Sequence, residues 1–394
     1  MKIKFLYGNK VSVFISLLFV NIFCCSENEI KIGMSTALTG AAKELGSEMK
    51  QGVDAYFNKI NKDGGVNGIN LRLIALDDGY EPSNTSQNMR KLIDEEKVLA
   101  VIGNVGTPTA IVAVPIANET KTLLFGAFTG AGVLRKNPPD RYVINFRASY
   151  AEETSSMIDG LINKVGIKPQ EIAFFTQNDG YGDSGYSGAI EALKKLGVVE
   201  SDRLSHGRYT RNTLNVEEGL SIIMESEVEP KAIIMVGAYA PCSKFIKLAK
   251  PEFPNAMFLN VSFVGSNALL NELKNDSEGV VITQTVPYYA NNSLPVINEY
   301  LKTIKEFDSN SKPGFVSLEG FIAAKIFVEG LKNCSDGISK ESIIDSLESF
   351  KKLDIGIGFP IGYSKDMHQA SHNVWITQIS KGGFKKINWE DLKK

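Results

Sequence analysis

The chain has 394 residues, 43% hydrophobic and 22% charged, which suits two globular domains with ordinary cores and excludes a disordered or low-complexity protein. Its formal charge is -2, from 43 basic and 45 acidic residues, and no Lys/Arg block stands out. Nucleic acid is therefore excluded as a partner.

The first residues read as an export signal. Lys2, Lys4 and Lys10 form the positive end, Val11 to Phe23 an apolar core too short to span a bilayer comfortably, and Cys24-Cys25-Ser26 the exit. Removing residues 1–26 takes away three lysines and leaves 40 basic against 45 acidic residues, a formal charge of -5. Ile22-Phe23-Cys24-Cys25 resembles a bacterial lipobox, although Phe23 is bulky and Cys24 stands where Gly, Ala or Ser is expected. Two outcomes stay open: cleavage after Ser26, or lipidation of Cys25, which would tether a soluble domain to a membrane. Only Cys242 and Cys334 then remain, expected as two buried free thiols.

Ile30 to Ser35 predicts a strand, followed by a helix with Met49, Val53, Tyr56, Phe57 and Ile60 on one face, Ser47 as N-cap and Gly64-Gly65 as the stop. Leu71 to Leu76 predicts a second strand running into Asp77-Asp78, read as a solvated strand end, and Pro82 to Glu95 a helix. Val98 to Ile102 is a buried strand that leads through a glycine-flanked turn to Thr107-Pro108-Thr109. Pro108 fits a first helical turn, where its missing N–H costs nothing. Such a turn can dock a carboxylate through free N–H groups and the helix dipole, with Thr107 and Thr109 adding hydroxyl donors. Leu123 to Gly126 is a further strand, ending in Ala127-Phe128-Thr129-Gly130.

From about Ala148 the pattern restarts: a strand over Ile172 to Thr176, a polar glycine-rich turn over Gln177 to Gly185, a helix end at Ile190 to Leu196, a helix over Val216 to Met224 and a strand over Ala232 to Val236. Gly237-Ala238-Tyr239-Ala240-Pro241 parallels the glycine turn and proline of the first half. Helices over Pro295 to Phe307, Leu318 to Lys332 and Glu341 to Phe350 and a strand over Val374 to Ile379 close the chain, the tail packing back onto the rest. Alternating strands and helices imply two similar α/β lobes with parallel sheets, whose ligands bind beyond the carboxyl ends of the strands.

Enzyme-like fragments find no support. Gly182-Asp183-Ser184-Gly185 matches a serine-protease tetrapeptide, but His206, His368 and His372 sit in no partner motif and the α/β pattern is wrong for that fold. His368 and His372 lack the context of a metal site, and neither Gly-x-Gly-x-x-Gly nor a Walker lysine follows the first strand. A binding cleft without a reaction centre, metal or cofactor is the expectation.

From Ile30-Lys31-Ile32-Gly33 through Asp63-Gly64-Gly65-Val66-Asn67-Gly68 to Val374-Trp375, the sequence resembles the type I periplasmic binding proteins of ABC importers, in the branched-chain amino-acid (leucine/isoleucine/valine) family. The resemblance implies two Rossmann-like lobes, residues 27–146 plus 287–360 and residues 147–286 plus 361–394, joined by a three-strand hinge that lets them close on a small ligand. The crossings would fall near Asn145 to Ala148, Thr285 to Tyr288 and Phe359 to Tyr363. It places Thr107 as a carboxylate-binding hydroxyl, Ala127 and Thr129 as an Ala-x-Thr pair that also holds the ligand, and Tyr181 and Tyr239 as aromatics folded over it. The family's acid that pairs with a ligand ammonium falls at Ser262, so an amino acid competes with an amine-free carboxylate unless Asp183 or another acid substitutes. The implied protein is an extracytoplasmic, monomeric solute-binding protein with an ABC permease as its partner. The alternative is a sensing domain of the same fold that signals to a separate membrane partner.

Overall fold

The computed structural model describes residues 29–393; the export signal expected over residues 1–26, with Cys25, lies outside them. In chain order the first part runs β1 (Glu29–Thr36), α1 (Lys43–Lys62), β2 (Asn70–Asp77), α2 (Pro82–Arg90), β3 (Ala100–Ile102), α3 (Thr107–Glu119), β4 (Leu123–Phe125) and β5 (Val143–Ile144). These strands form one parallel sheet in the order β2-β1-β3-β4-β5. Its registers include Ile32 beside both Leu73 and Ala100. The short, almost wholly apolar central strands are what a sheet covered on both faces requires.

The second part runs α4 (Tyr150–Asp159), β6 (Ile172–Gln177), α5 (Gly180–Lys195), β7 (His206–Tyr209), α6 (Glu217–Met224), β8 (Ala232–Val236), α7 (Tyr239–Glu252), β9 (Met257–Asn260), α8 (Ser266–Leu273) and β10 (Val281–Gln284). Helices α9 (Pro295–Phe307), α10 (Phe315–Lys332) and α11 (Lys340–Ser349) then precede β11 (Trp375–Ser380) and β12 (Gly383–Lys386). The second sheet has the order β12-β11-β10-β9-β8-β6-β7. Its β6 to β10 are parallel, while β11 joins β10, and β12 joins β11, antiparallel. The C-terminal tail thus completes the second lobe's sheet. By contrast, α9 and α10 return to the first lobe and pack on α1.

That return depends on close backbone approach. A Cβ on Gly52 of α1 would lie 2.0 Å from the Ser317 carbonyl oxygen, and one on Gly320 of α10 would lie 2.3 Å from that of Met49. Helix α10 is buried nearly all round, as a helix apolar on every side must be. No helix among the described residues is long and apolar enough to cross a membrane.

Several local readings are corrected. Helix α1 begins four residues before Ser47, with Ala42 at its N-cap, and Ser47 lies exposed within it. Residues Gly180 to Gly185 are helix, not turn: the Asp179 carboxylate accepts from the Tyr181 N–H at 3.0 Å and starts α5 there. The glycines in this stretch serve packing, since a Cβ on Gly182 would lie 2.0 Å from the Gln177 carbonyl oxygen. The Asp77-Asp78 strand end is only half solvated. Asp78 is 1% exposed and accepts from Ser35, Thr85 and the Tyr80 N–H. Cys242 and Cys334 are both buried and unpaired.

His206 on β7 offers a pH test. Its ring stacks on Tyr186 at 4.0 Å and its Nε2 lies 2.7 Å from the Thr176 hydroxyl. Burial, helped by nearby Arg208, pulls its pKa down to about 4. A folded-state value below the unfolded one means that the neutral ring stabilises the fold above pH ~6.5 and that this contribution is lost as pH falls from ~6.5 to ~4. Partial exposure screens the effect, so a loss of roughly 1–2 kcal/mol is expected over that window. Urea unfolding of His206→Phe at both ends of the window should lack that part of the pH slope.

Candidate functional site

Two loops at the carboxyl edge of the first sheet are zipped together. The Phe128 N–H donates to the Asn104 carbonyl at 2.8 Å, and the Gly106 N–H donates to that of Phe128 at 3.2 Å. This parallel bridging after β3 and β4 puts Thr107, at the start of α3, beside Thr129, and their hydroxyls share a hydrogen bond of 2.7 Å. Both are buried, as is Ala127, whose carbonyl accepts from the Thr129 N–H at 2.8 Å. Thr109 is not a donor to this edge. Its hydroxyl turns back onto the carbonyls of Val105 and Gly106, at 2.5 and 2.9 Å.

The second lobe presents Tyr181 from the first turn of α5 and Tyr239 from that of α7. The Tyr181 hydroxyl donates to the Gly237 carbonyl at 3.2 Å, which fixes its ring against Phe263 at 4.7 Å and Tyr150 at 5.1 Å. Tyr239 is 5% exposed; burial pushes its phenol up to about 12, opposed by the Glu44 backbone amide of the other lobe. Tyr239 therefore reaches across the seam at α1.

Phe263 stands at the centre of the seam. Besides Tyr181 it meets Phe128 at 5.3 Å, Tyr80 at 6.1 Å and Tyr150 at 6.4 Å, so one ring joins side chains of both lobes. Around this aromatic wall the lobes also touch through Arg211 and Glu81 at 2.8 Å and through Gln177, which donates to the Tyr80 hydroxyl at 3.3 Å. An open cavity of about 700 Å³ between α3 and α5 is lined by Thr107, Gly130, Ala131, Ser149, Gly180 and Asp183; of the expected site residues Thr107 alone lines it.

Behind the wall lies a buried charge cluster. Glu153 of α4 accepts from the Ser262 N–H at 2.7 Å, the Ser262 hydroxyl at 2.9 Å, the Thr283 hydroxyl at 2.6 Å and Arg147 at 3.2 Å. Arg147 also donates to the Ser262 hydroxyl and lies 3.5 Å from Glu319 of α10. Its guanidinium carbon sits 4.8 Å from the Phe128 ring centre and 5.7 Å from that of Tyr150, within cation–π range. Burial works against the Arg147 charge, but Glu319 and Glu153 outweigh it and hold the group above its ordinary value. Burial pushes the Glu319 carboxyl up against the pull of Arg147. It also pushes the Tyr150 phenol up to about 12, opposed by Arg147 and the Thr129 hydroxyl.

Thus the Thr107 and Thr129 hydroxyls meet, Tyr181 packs with Phe263 and Tyr150, Tyr239 lies at the start of α7, and Ser262 faces Glu153 and Arg147. Asp183 is held at the rim by Arg208. The Ser184 hydroxyl donates to the Gly180 carbonyl at 2.7 Å within α5, and His368 is buried against Glu348. Sequence reasoning missed Arg147, Glu153 and Phe263. An arginine inside the largely apolar Val143 to Ala148 is the signal that could have drawn attention to the first.

The profile of a family described as "Periplasmic binding protein" matches residues 29–384. The chain belongs to that family. Among solved structures, this binding protein is similar to a possible leucine/isoleucine/valine-binding protein from Rhodopirellula baltica, 48% identical over 93% of this chain and 98% of that one, with a TM-score of 0.90. A branched-chain amino-acid ABC transporter protein from Thermus thermophilus with bound valine shares the fold at a TM-score of 0.79 and 18% identity, covering 92% and 96% of the two chains. The Leu/Ile/Val-binding protein homolog 8 of Brucella abortus is 22% identical over 94% of this chain and 91% of its own length. An amino acid binding protein of Pseudomonas aeruginosa is 25% identical over 52% of this chain, which spans 55% of that relative's length. These matches place the binding protein in the type I, branched-chain amino-acid group.

Proposed function

We propose that this chain is the extracytoplasmic solute-binding component of an ABC importer and captures a small carboxylate-bearing ligand, an amino acid or an amine-free acid, between its lobes. The observation that carries the reading is the shared seam. The Thr107–Thr129 hydroxyl pair lies at the start of α3 on one lobe, where Thr107 approaches Gly180 at the start of α5 on the other and Phe128, next to Thr129, meets Phe263. The ligand's acid docks on Thr107, Thr129 and the backbone at Ala127, and Tyr181, Tyr239 and Ser262 then close over it as the lobes bend about the crossings near residues 145–148, 285–288 and 359–363. On this reading the lobes comprise residues 27–146 plus 287–360 and residues 147–286 plus 361–394. The closed form is what a membrane permease recognises, and the chain itself carries out no chemistry.

Thermal unfolding against a panel of amino acids and carboxylates tests the reading. A ligand at about a hundred times its Kd should add about 2.7 kcal/mol of stability. For whichever compound stabilises the protein, Thr107→Val should weaken binding about tenfold, or ~1.4 kcal/mol, with the fold intact, because it removes one hydroxyl and keeps the shape. Titration calorimetry showing unchanged affinity would remove Thr107 from the site.

A further inference from the structure

We infer that the ligand is a carboxylate without an ammonium group, because the protein's own Arg147 already occupies the place where that ammonium would be held. The inference rests on the proposed solute-binding function and narrows its ligand class. An amino acid bound by its carboxylate at Thr107 and Thr129 needs an acceptor for its buried ammonium, and a buried cation without one is not retained. Two buried acids, Glu153 and Glu319, lie beside Arg147 behind the aromatic wall. Glu153 is saturated by two hydroxyls, the Ser262 N–H and Arg147. Glu319 accepts from the Thr285 hydroxyl at 3.1 Å and faces Arg147. Two further acids at the seam are also engaged. Asp179 caps α5 and accepts from Gln177 at 2.7 Å, while Asp78 accepts from Ser35, Thr85 and Tyr80.

What faces the wall instead is a positive charge. Arg147 is 1% exposed, its Nε has no hydrogen-bond partner, and its guanidinium lies against the faces of Phe128 and Tyr150. A ligand ammonium brought to Glu153 or Glu319 would meet this guanidinium as a like charge. A ligand that ends in a carboxylate alone meets no such cost.

Titration calorimetry on the purified chain with matched pairs, leucine against 4-methylpentanoate and phenylalanine against 3-phenylpropanoate, tests this directly. The amine-free member of a pair should bind at least about tenfold more tightly. Arg147→Met frees both glutamates and should shift that ratio about tenfold or more toward the amino acid, whereas Arg147→Lys, which keeps the cation, should not. Wild-type protein that binds the amino acid as well as or better than its partner overturns the inference and leaves the solute-binding reading standing. An unaltered ratio in folded Arg147→Met overturns the role of Arg147. If Arg147→Met does not fold, the wild-type ratios decide alone. No binding by any member of either pair overturns the inference, and the wider ligand panel then judges the solute-binding reading separately.

Discussion

Glu153→Leu is expected to lower the unfolding free energy by about 3–5 kcal/mol, the cost of leaving a buried charge uncompensated. The variant would strand Arg147, the Ser262 N–H and hydroxyl and the Thr283 hydroxyl in the interior at one stroke, since all of them converge on this carboxylate. Glu319 would remain beside the guanidinium, at 3.5 Å. Glu153→Gln keeps the shape and one acceptor and should cost less. The double variant Glu153→Leu, Arg147→Met should recover much of the loss, because an apolar pair of similar volume is often no worse than a buried ion pair. Urea unfolding of the three variants measures the differences. A loss below about 1 kcal/mol for Glu153→Leu would mean that water reaches the cluster.

The same cluster shows how far the sequence could be read. Central strands were legible from their apolar residues, a short run in β8 and Ile30, Ile32 and Met34 in β1: β8 falls over the residues expected, and β1 and β6 within a residue or two. Strand β7, His206–Tyr209, alternates polar with apolar residues at the sheet's edge, and β5 has only two residues, so neither offers a run to detect. Helix α4 did carry a signal, the Ser149-x-x-Glu152 capping box, formed in both directions. The hydroxyl pair was legible because both threonines sit next to glycine turns at strand ends. The charge cluster was not, because Arg147 meets its partner Ser262 from 115 positions away and only the fold brings them together. Thr109 was misread for a local reason: a threonine in a first helical turn can satisfy its hydroxyl on its own backbone, and this one does.

Gly106→Ala should damage stability and binding together. Gly106 caps α3 with φ 105° and ψ 158°, a region of backbone space that is essentially reserved for glycine and costs other residues about 1–3 kcal/mol. The added Cβ would also lie 2.1 Å from the Tyr80 ring, far inside contact distance. Tyr80 cannot yield freely. Its N–H is held by Asp78 at 2.9 Å, its hydroxyl accepts from Gln177 of the other lobe and its ring meets Phe263. Overpacking of this kind typically costs a further ~1–3 kcal/mol, so the total loss should be about 2–6 kcal/mol in urea unfolding. Because the displaced ring belongs to the seam, relief of the clash pushes the lobes apart, and the off-rate of a bound ligand should rise in stopped-flow measurements. Gly106→Ala that loses stability but keeps the off-rate would show that Tyr80 moves away from the seam, and that lobe closure rests on Phe263, Tyr181 and Tyr239 without it.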